Sequence, residues 1–313
     1  MKSIAVLTGG ESSEREVSMW SADHVEGALR DRTKVARYVL PEDRDRFLAE
    51  RQNVDVVIPV LHGRGGEDGV LQGFLSELRM PFLFSGVEAC AIGMDKRLAK
   101  LVAQQTGIQT PRSEVVVQGQ KPTIAMPFVV KPLDGGSTIG VSVVKTEAER
   151  DVALTKAFAW SREVLIEGFI DGREFTVGVI EDQGRVIGLP VIEIVSPGGF
   201  FDFESKYIDG KMASEICPAQ IPDALRDALQ TAAVTMHRAV GARHVSRSDF
   251  IVDEVDQPWF LEINIIPGMT KNSLLPKAVR QSGRDFGDLL VSWIDEVTSP
   301  PARERLNPAA PRS

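Results

Sequence analysis

The sequence has few cysteines and no long hydrophobic run, and each shortage excludes a class of protein. Two of the 313 residues are cysteine, Cys90 and Cys217. Two cysteines cannot build a disulfide framework, and these two lack the CxxC spacing of a zinc site. Both lie among apolar neighbours, so we predict two buried free thiols. No stretch approaches the roughly 20 apolar residues of a membrane helix, and the first apolar run ends at Gly9-Gly10 without a signal-peptide core. We therefore expect a cytoplasmic protein without a membrane partner.

Positive charge is also in deficit. The 36 Lys and Arg residues stand against 44 Asp and Glu residues, which gives a formal charge of −8. A dedicated nucleic-acid-binding protein needs a basic face to neutralise phosphates, so that class is excluded. Hydrophobic residues make up 43% of the chain, which is enough for a large core and excludes wholesale disorder. At roughly 150 residues per domain, the length suggests about two domains.

The first 95 residues alternate between strand-like and helical stretches. Short apolar runs at 4–7, 54–61 and 80–84 predict buried strands, and residues 16–30 and 69–78 have helical character. Strands that alternate with helices favour a parallel α/β sheet, with ligands at the carboxyl ends of the strands. Two glycine-rich segments, at 9–10 and 62–66, follow such strand ends.

The pattern changes near residue 100. Strand-like runs at 128–131, 141–144, 164–167, 174–180 and 186–194 follow one another, several of them across short turns. This pattern predicts hairpins and antiparallel sheet. Pro222 begins an amphipathic helix, and two more strands are expected at 249–252 and 259–264. The predicted fold class is therefore α/β, with α+β character in the second part.

A loop rich in glycine and hydroxyl groups follows Lys131. Residues 131–140 read Lys-Pro-Leu-Asp-Gly-Gly-Ser-Thr-Ile-Gly. Glycines let backbone N–H groups approach phosphate oxygens, Ser137 and Thr138 add hydroxyl donors, and the lysine adds a positive charge. The lysine precedes the glycines, so this is neither a Walker A motif nor a Rossmann fingerprint. A phosphate-binding loop and a tight hairpin without a ligand both fit this segment alone.

A second constellation joins Asp249 with Glu262 and Asn264. Asp249 lies in one predicted strand, and the other two residues end the next strand two positions apart, hence on one face. Two carboxylates and an amide oxygen are hard ligands suited to Mg²⁺ beside nucleotide phosphates. The alternative is a solvated acidic edge. The apolar neighbours argue against it, because buried carboxylates without a cation are costly.

Three further sites are weaker. Glu167 and Glu174 flank a turn. One of them could accept a hydrogen bond from a nucleotide sugar or amine, or both could be surface carboxylates. The segment around Glu14 carries a helix N-terminal signal, which does not exclude a ligand role. His62 has no second histidine at metal spacing, so an orienting hydrogen bond or a structural role fits it better than zinc.

Together these segments resemble the D-alanine–D-alanine ligases of the ATP-grasp superfamily. Eight segments match in order across almost the whole chain. They are Gly9-Gly-Glu-Ser-Ser-Glu14-Arg-Glu-Val-Ser18, 62–73, Met94-Asp95-Lys96, 130–140, Glu167 with Gly172-Arg-Glu174, Lys206-Tyr207, Arg247-Ser-Asp249 and 262–274.

The resemblance implies an ATP-grasp fold with an N-terminal parallel α/β domain. The expected domains are an N-terminal substrate domain at 1–95, a central ATP-grasp domain at 96–180 and a C-terminal ATP-grasp domain at 181–313. The last would carry the metal site and a lid loop at about 196–217. It would close over the site and exclude water, which otherwise hydrolyses an acyl phosphate.

The implied reaction is ATP-driven joining of two D-alanines, for peptidoglycan precursors. The first carboxylate attacks the γ-phosphate, and the second amine attacks the resulting acyl phosphate and expels phosphate. The implied cofactors are ATP, as a substrate, and two Mg²⁺ ions, for which Mn²⁺ could substitute. The implied metal ligands are Asp249, Glu262 and Asn264. The implied ATP-binding residues are Lys96, Lys131, Ser137, Glu167, Gly168, Phe169, Ile170, Glu174 and Lys206.

The remaining implied roles concern D-alanine. Glu14 would pair with the first ammonium near His62, and the N–H groups of Ser273 and Leu274 would take the second carboxylate. Arg247 and the Gly268 N–H would form the oxyanion hole. Glu14, Ser137 and Tyr207 would form a hydrogen-bonded triad that joins the N-terminal domain, the loop and the lid.

The resemblance also implies a homodimer and leaves alternatives for the substrate. A ligase that makes D-alanyl-D-lactate or uses another D-amino acid is the first. Lys206-Tyr207 argues against the depsipeptide, because ligases with that preference often lack this tyrosine. A dipeptide ligase of another biosynthetic pathway is the second, and a non-catalytic nucleotide sensor is the third.

Overall fold

The computed structural model describes residues 1–133, 140–196 and 214–299. Within these ranges the strands form three sheets. Several predicted features lie outside them: Ser137, Lys206, Tyr207, most of the lid and the C-terminal tail.

The first sheet is parallel and has the order β2-β1-β3. A further parallel bridge joins Val57 to Phe82, so the predicted run at 80–84 does extend this sheet. The alternating α/β pattern predicted for this part of the chain is thus confirmed. Its elements are β1 (Ser3–Gly9), α1 (Arg15–Leu29), β2 (Lys34–Leu40), α2 (Arg44–Glu50), β3 (Val56–Pro59), α3 (Val70–Glu77) and α4 (Val87–Met94).

The second sheet is antiparallel and has the order β4-β7-β5-β6. The helix α5 precedes it, and Asp95 caps this helix by accepting the N–H groups of Arg97 and Leu98. A capping box between Thr146 and Glu149 begins α6. The elements are α5 (Lys96–Gln105), β4 (Ser113–Val117), β5 (Phe128–Pro132), β6 (Ser142–Val144), α6 (Glu147–Phe158) and β7 (Glu163–Gly168).

The third sheet is also antiparallel, in the order β11-β10-β8-β12-β13, with β9 paired to β8. Its elements are β8 (Arg173–Asp182), β9 (Arg185–Gly188), β10 (Ile192–Val195), β11 (Ser214–Ile216), α7 (Asp223–Ala239), β12 (Val245–Val252), β13 (Pro258–Asn264), α8 (Leu274–Gln281) and α9 (Phe286–Thr298).

One expectation about this part of the chain differs from the structure. The run at 186–194 is two strands rather than one, with the break around Pro190, which has no N–H to donate to a ladder. The domain boundary at residue 180 stays a prediction; the chain passes from the second sheet to the third between Gly168 and Arg173.

The apolar cores show how the sheets are joined. One cluster runs from Val6 of β1 through Phe84 to Phe250 of β12 and Trp293 of α9, so the first and third sheets share a core. The second sheet has its own cluster, which includes Phe128. The first and third sheets therefore form a common base against which the second sheet lies.

The cysteine prediction is half right. Cys90 is buried, and burial raises the pKa of its thiol to about 12, whereas Cys217 is only partly buried. Among the described residues, no helix is long and apolar enough to cross a bilayer.

Candidate active site

Strands β12 and β13 bring the predicted metal and oxyanion residues together. The two strands pair in antiparallel register, with Arg247 opposite Asn264 and Asp249 opposite Glu262. Residues directly opposite each other, and residues two apart, lie on the same face of a sheet. All four side chains therefore share one face, and the expected pairing of these strands is confirmed.

Asp249 is the centre of this group and is 9% exposed. Arg247 donates to both of its carboxylate oxygens, at 3.0 and 2.9 Å, and Asn264 Nδ2 donates to Asp249 Oδ2 at 3.1 Å. Thr176 of β8 also donates its hydroxyl to this carboxylate. Burial lowers the pKa of Arg247, but the adjacent Asp249 outweighs it and raises that pKa overall.

This donor set fits a hard cation. Two carboxylates and an amide oxygen are ligands that Mg²⁺ prefers, and Asn264 offers its oxygen after a rotation of the amide. The Glu262 side chain is partly exposed, and Lys96 Nζ lies 3.4 Å from its Oε2. A lysine predicted to bind phosphate and a carboxylate predicted to bind metal are thus neighbours.

The second sheet presents a buried cluster of charge. Glu167 of β7 is 1% exposed and forms ion pairs with Lys131 of β5 and Lys100 of α5. Burial raises the pKa of Glu167, but the two lysines together lower it below its ordinary value. The charge of Glu262 raises the pKa of both lysines, so this cluster lies near the strand that carries the metal ligands.

Lys100 was not predicted from the sequence. It is 2% exposed, and its Nζ also donates to Thr110 Oγ1. Burial lowers its pKa more than Glu167 raises it. One signal could have found it, because Lys96 and Lys100 are four residues apart on a helix and project from the same side.

The link between the second and third sheets carries the residues predicted to contact the nucleoside. Gly168 and Phe169 are held by backbone bonds, from Gly168 N to Arg112 O (2.8 Å) and from Phe169 N to Pro127 O (3.2 Å). Ile170 follows, and Glu174 lies in β8 opposite Ile251. All four residues are partly buried, and they lie where the chain passes from the second sheet to the third.

The N-terminal part contributes His62 and Glu14. Burial lowers the pKa of His62, but hydrogen bonding to Glu67, at 3.3 Å, and the charges of Glu67 and Glu14 raise it overall. Glu14 lies against the turn at Gly63, where an added Cβ would be 2.9 Å from Glu14 Oε2. The backbone of Gly63 has φ +72°, so the turn requires glycine for both reasons. Glu14 and His62 are therefore close together, as predicted.

Ser273 and Leu274 lie at the beginning of α8. Ser273 is the N-cap residue, and its hydroxyl accepts the N–H of Thr270 at 3.0 Å. Gly268 lies beside it, because an added Cβ there would be 3.0 Å from Ser273 Oγ. A helix N-terminus favours an anion such as a carboxylate. The positions predicted for the second carboxylate and the oxyanion donor are thus adjacent.

A second group, Glu181, His244 and Glu296, also has metal-like spacing. His244 Nδ1 accepts a hydrogen bond from the N–H of Phe84 at 2.9 Å. A neutral imidazole that accepts at Nδ1 carries its proton on Nε2, which then has no lone pair for a metal. Burial also lowers the pKa of His244 to about 3. This group is therefore structural.

The chain is similar over nearly its full length to proteins of one family. Family models described as "D-ala D-ala ligase C-terminus" and "D-ala D-ala ligase N-terminus" match residues 99–295 and 41–85. A D-alanine–D-alanine ligase of Coprothermobacter proteolyticus is 40% identical over 305 residues, which is 94% of this chain and 99% of that one. The ligase of Geotalea uraniireducens is 43% identical over 92% of this chain and 93% of its own length.

The fold comparison agrees with the sequence comparison. The crystal structure of the D-alanine–D-alanine ligase from Bacillus anthracis complexed with ATP superimposes with a TM-score of 0.81 at 28% identity. The match covers 97% of this chain and 99% of that chain.

Proposed function

This chain belongs to the D-alanine–D-alanine ligase family. We propose that residues from all three of its sheets take part in one ATP-dependent reaction. The chain joins two D-alanines into D-alanyl-D-alanine with ATP, a reaction of peptidoglycan precursor synthesis, and the D-lactate alternative is disfavoured. The observation that supports the residue roles proposed below is the proximity of two groups of charged side chains. The Lys131–Glu167–Lys100 cluster lies near the strands that carry Arg247, Asp249, Glu262 and Asn264: the charge of Glu262 acts on Lys100 and Lys131, and Lys96 Nζ lies 3.4 Å from Glu262 Oε2.

ATP lies in the space between these two groups. Lys131 and Lys96 attract its phosphates, the backbone from Gly168 to Ile170 lines the adenine, and Glu174 takes the ribose. Asp249, Glu262 and Asn264 hold magnesium, two ions in all, or manganese in its place. When bound, the metal neutralises charge on the phosphates during transfer.

D-Alanine occupies the other end of the space. Glu14 and His62 orient the first molecule, whose carboxylate attacks the γ-phosphate. The N–H groups at the start of α8 hold the carboxylate of the second molecule, whose amine attacks the acyl phosphate. Arg247 and the Gly268 N–H stabilise the oxyanion, and one such donor lowers the barrier by about 3 to 4 kcal/mol. Ser137, Tyr207 and Lys206 remain predicted members of this site.

The chain acts as a homodimer in the cytoplasm under this proposal. Two exposed valines support a contact between copies. Val70 is 67% exposed and Val87 is 45% exposed, and they are the first residues of α3 and α4, whose N-terminal ends are neighbours. Light scattering should give twice the monomer mass for the wild type. A V70E/V87E variant should have the monomer mass.

The test is phosphate release from Mg-ATP with D-alanine, with L-alanine, or with D-alanine plus D-lactate, with the products identified by mass. We expect phosphate and D-alanyl-D-alanine with D-alanine alone, and no turnover with L-alanine. Turnover that requires another acceptor would move the substrate assignment to that acceptor. A folded protein that binds ATP and turns over no D-amino acid would contradict the proposal.

A further inference from the structure

Helix α1 holds Met269, the residue after the proposed oxyanion donor, by both of its backbone polar groups. The Met269 N–H donates to Ser21 Oγ at 3.3 Å. The Met269 carbonyl oxygen accepts a hydrogen bond from His24 Nδ1 at 2.7 Å. Ser21 and His24 are three residues apart on α1, so they project from the same side of the helix.

These bonds fix two successive peptide planes. Ser21 holds the plane between Gly268 and Met269, and His24 holds the plane between Met269 and Thr270. The N–H of Thr270 in turn donates to Ser273 Oγ at 3.0 Å. The Gly268 N–H lies in the preceding peptide plane, which is linked to the held planes through the Gly268 Cα. Glycine has no Cβ to restrict its backbone dihedrals, so holding the planes that follow it limits the directions in which this N–H can point.

The Met269 side chain is buried in the core that the first and third sheets share. A surface cavity of about 930 Å³ lies beside the same segment, and His24, Thr270 and Asn272 are among the residues that line it. The helix α1 contacts therefore fix the backbone of a residue whose side chain the core already holds.

The His24 ring is itself held in place. It stacks on Phe286 of α9, with centroids 5.3 Å apart and an interplanar angle of 4°. Partial burial and the charges of Arg280 and Lys271 lower its pKa, against the effect of the Met269 carbonyl. Both the neutral and the protonated ring can keep a proton on Nδ1, so the bond to Met269 persists in either form.

We propose that His24, together with Ser21, is a positioning residue for the second step of the ligase reaction. In that step the amine nitrogen bonds to the carbonyl carbon of the acyl phosphate, and the carbonyl π electrons move to the oxygen to form the oxyanion. The carbonyl then re-forms, the C–O bond to phosphate breaks, and phosphate leaves with the electron pair and takes up the proton that the amine loses. The Gly268 N–H must point at the transient oxyanion, and His24 and Ser21 keep it there. This inference rests on the proposed function.

Two substitutions separate the hydrogen bond from the ring. His24→Phe keeps an aromatic ring for Phe286 but cannot donate to Met269. His24→Asn lacks the ring but places an amide N–H close to the position of Nδ1. Trp20→Ala, at an exposed position on the same helix, is the matched control. Melting temperatures of all variants establish that they fold.

Three quantities are measured: the rate of dipeptide formation, the KM for ATP, and the dipeptide formed per phosphate released. His24→Phe should form dipeptide about 10- to 100-fold more slowly, the loss expected for a donor misplaced by about 1 Å. The KM of this variant for ATP should stay within twofold of the wild-type value. The variant should form less than one dipeptide per phosphate, because the slow second step lets water attack the acyl phosphate. His24→Asn should restore the rate of dipeptide formation and the ratio of dipeptide to phosphate.

Two results would overturn the inference. One is a His24→Phe variant with the wild-type rate and coupling. The other is equal loss in both variants with one dipeptide still formed per phosphate, which would assign the ring a structural role. A wild-type protein that forms no dipeptide would instead contradict the proposed function, so the two failures are distinguishable.

Discussion

Lys100 illustrates how a single buried charge can prepare a site for an anion. Lys100 and Lys131 share the carboxylate of Glu167, so this trio carries one net positive charge. A buried charge is costly unless a partner compensates for it. Polyphosphate is such a partner under the proposed function, and Lys100 would act on it through Glu167 and Lys131.

We expect Lys100→Met to weaken ATP binding about 10- to 100-fold, which corresponds to about 1.4 to 2.7 kcal/mol. With Lys100 removed, Glu167 neutralises Lys131 fully, and the attraction for phosphate falls. Adenosine has no phosphate, so its affinity should stay unchanged. Calorimetric titration with both ligands measures this difference, and Lys156→Met on the exposed side of α6 is the control. Equal weakening of ATP and adenosine binding would show a structural defect instead.

His244 should make the fold sensitive to acid. Its pKa is about 3 in the folded protein, against an ordinary value of 6.5. Between these values the unfolded chain binds a proton that the folded chain does not, so the free energy of unfolding falls as the pH falls from 6.5 towards 3. The slope from this residue approaches about 1.4 kcal/mol per pH unit.

His244→Asn should remove that slope. Asparagine tolerates the positive φ of 65° at this position, and its carbonyl can accept the Phe84 N–H in place of Nδ1. Urea unfolding at a series of pH values measures the free energy for both proteins. The variant should lose less stability than the wild type between pH 6.5 and pH 4, whatever its stability at neutral pH. Parallel pH dependences would contradict this account of His244.

At the scale of elements, the sequence predicts what local pattern encodes and misses what tertiary contact decides. The strands β1, β12 and β13 are apolar or alternate clearly, and each was predicted. The helix α4 (Val87–Met94) is not predicted, because it is short and its packing against β13 comes from a distant part of the chain. The capping box of α6 is readable in the sequence, but the apolar residues of this helix form no clear stripe, which gives a weak periodic signal.

The contact of α4 with β13 depends on Gly93. An added Cβ would lie 2.3 Å from Ile265 Cγ1, next to the strand that carries Glu262 and Asn264. Gly93→Ala should therefore lower the free energy of unfolding by about 1 to 3 kcal/mol, through overpacking. Gly27→Ala is the matched control, because that glycine lies in a helix with nothing within 4 Å of the added Cβ. It should stabilise the fold by about 0.5 to 1 kcal/mol. Denaturant unfolding compares the two, and equal effects would contradict the proposed packing.

At the scale of the whole molecule, the site depends on the hydrogen bonds and packing that join the first sheet to the third. Arg243 donates to the carbonyl oxygens of Phe84 (2.9 Å) and Phe82 (3.0 Å), and its own N–H donates to Ser85 Oγ (3.0 Å). These bonds join the end of the N-terminal part to the residues just before β12, the strand that carries Arg247. Together with the shared core, they hold Glu14 and His62 in fixed positions relative to β12 and β13.

The site as a whole could be predicted only in part from the sequence. The resemblance supplies the proposed site residues, and strand periodicity places Glu262 and Asn264 on one face. No local pattern encodes the bonds from α1 to Met269, because they join residues that lie 248 and 245 positions apart. The burial of Glu167 between two lysines likewise comes from three separate elements.

The most direct test of the central claim follows an oxygen atom through the reaction. D-Alanine labelled with ¹⁸O in its carboxylate is turned over with Mg-ATP, and the released phosphate is analysed by mass. If the carboxylate attacks the γ-phosphate and the amine then expels phosphate, each phosphate carries one labelled oxygen from the first D-alanine. Label in AMP, or dipeptide formed with unlabelled phosphate, would contradict the acyl-phosphate route and the roles given to both groups of charged side chains.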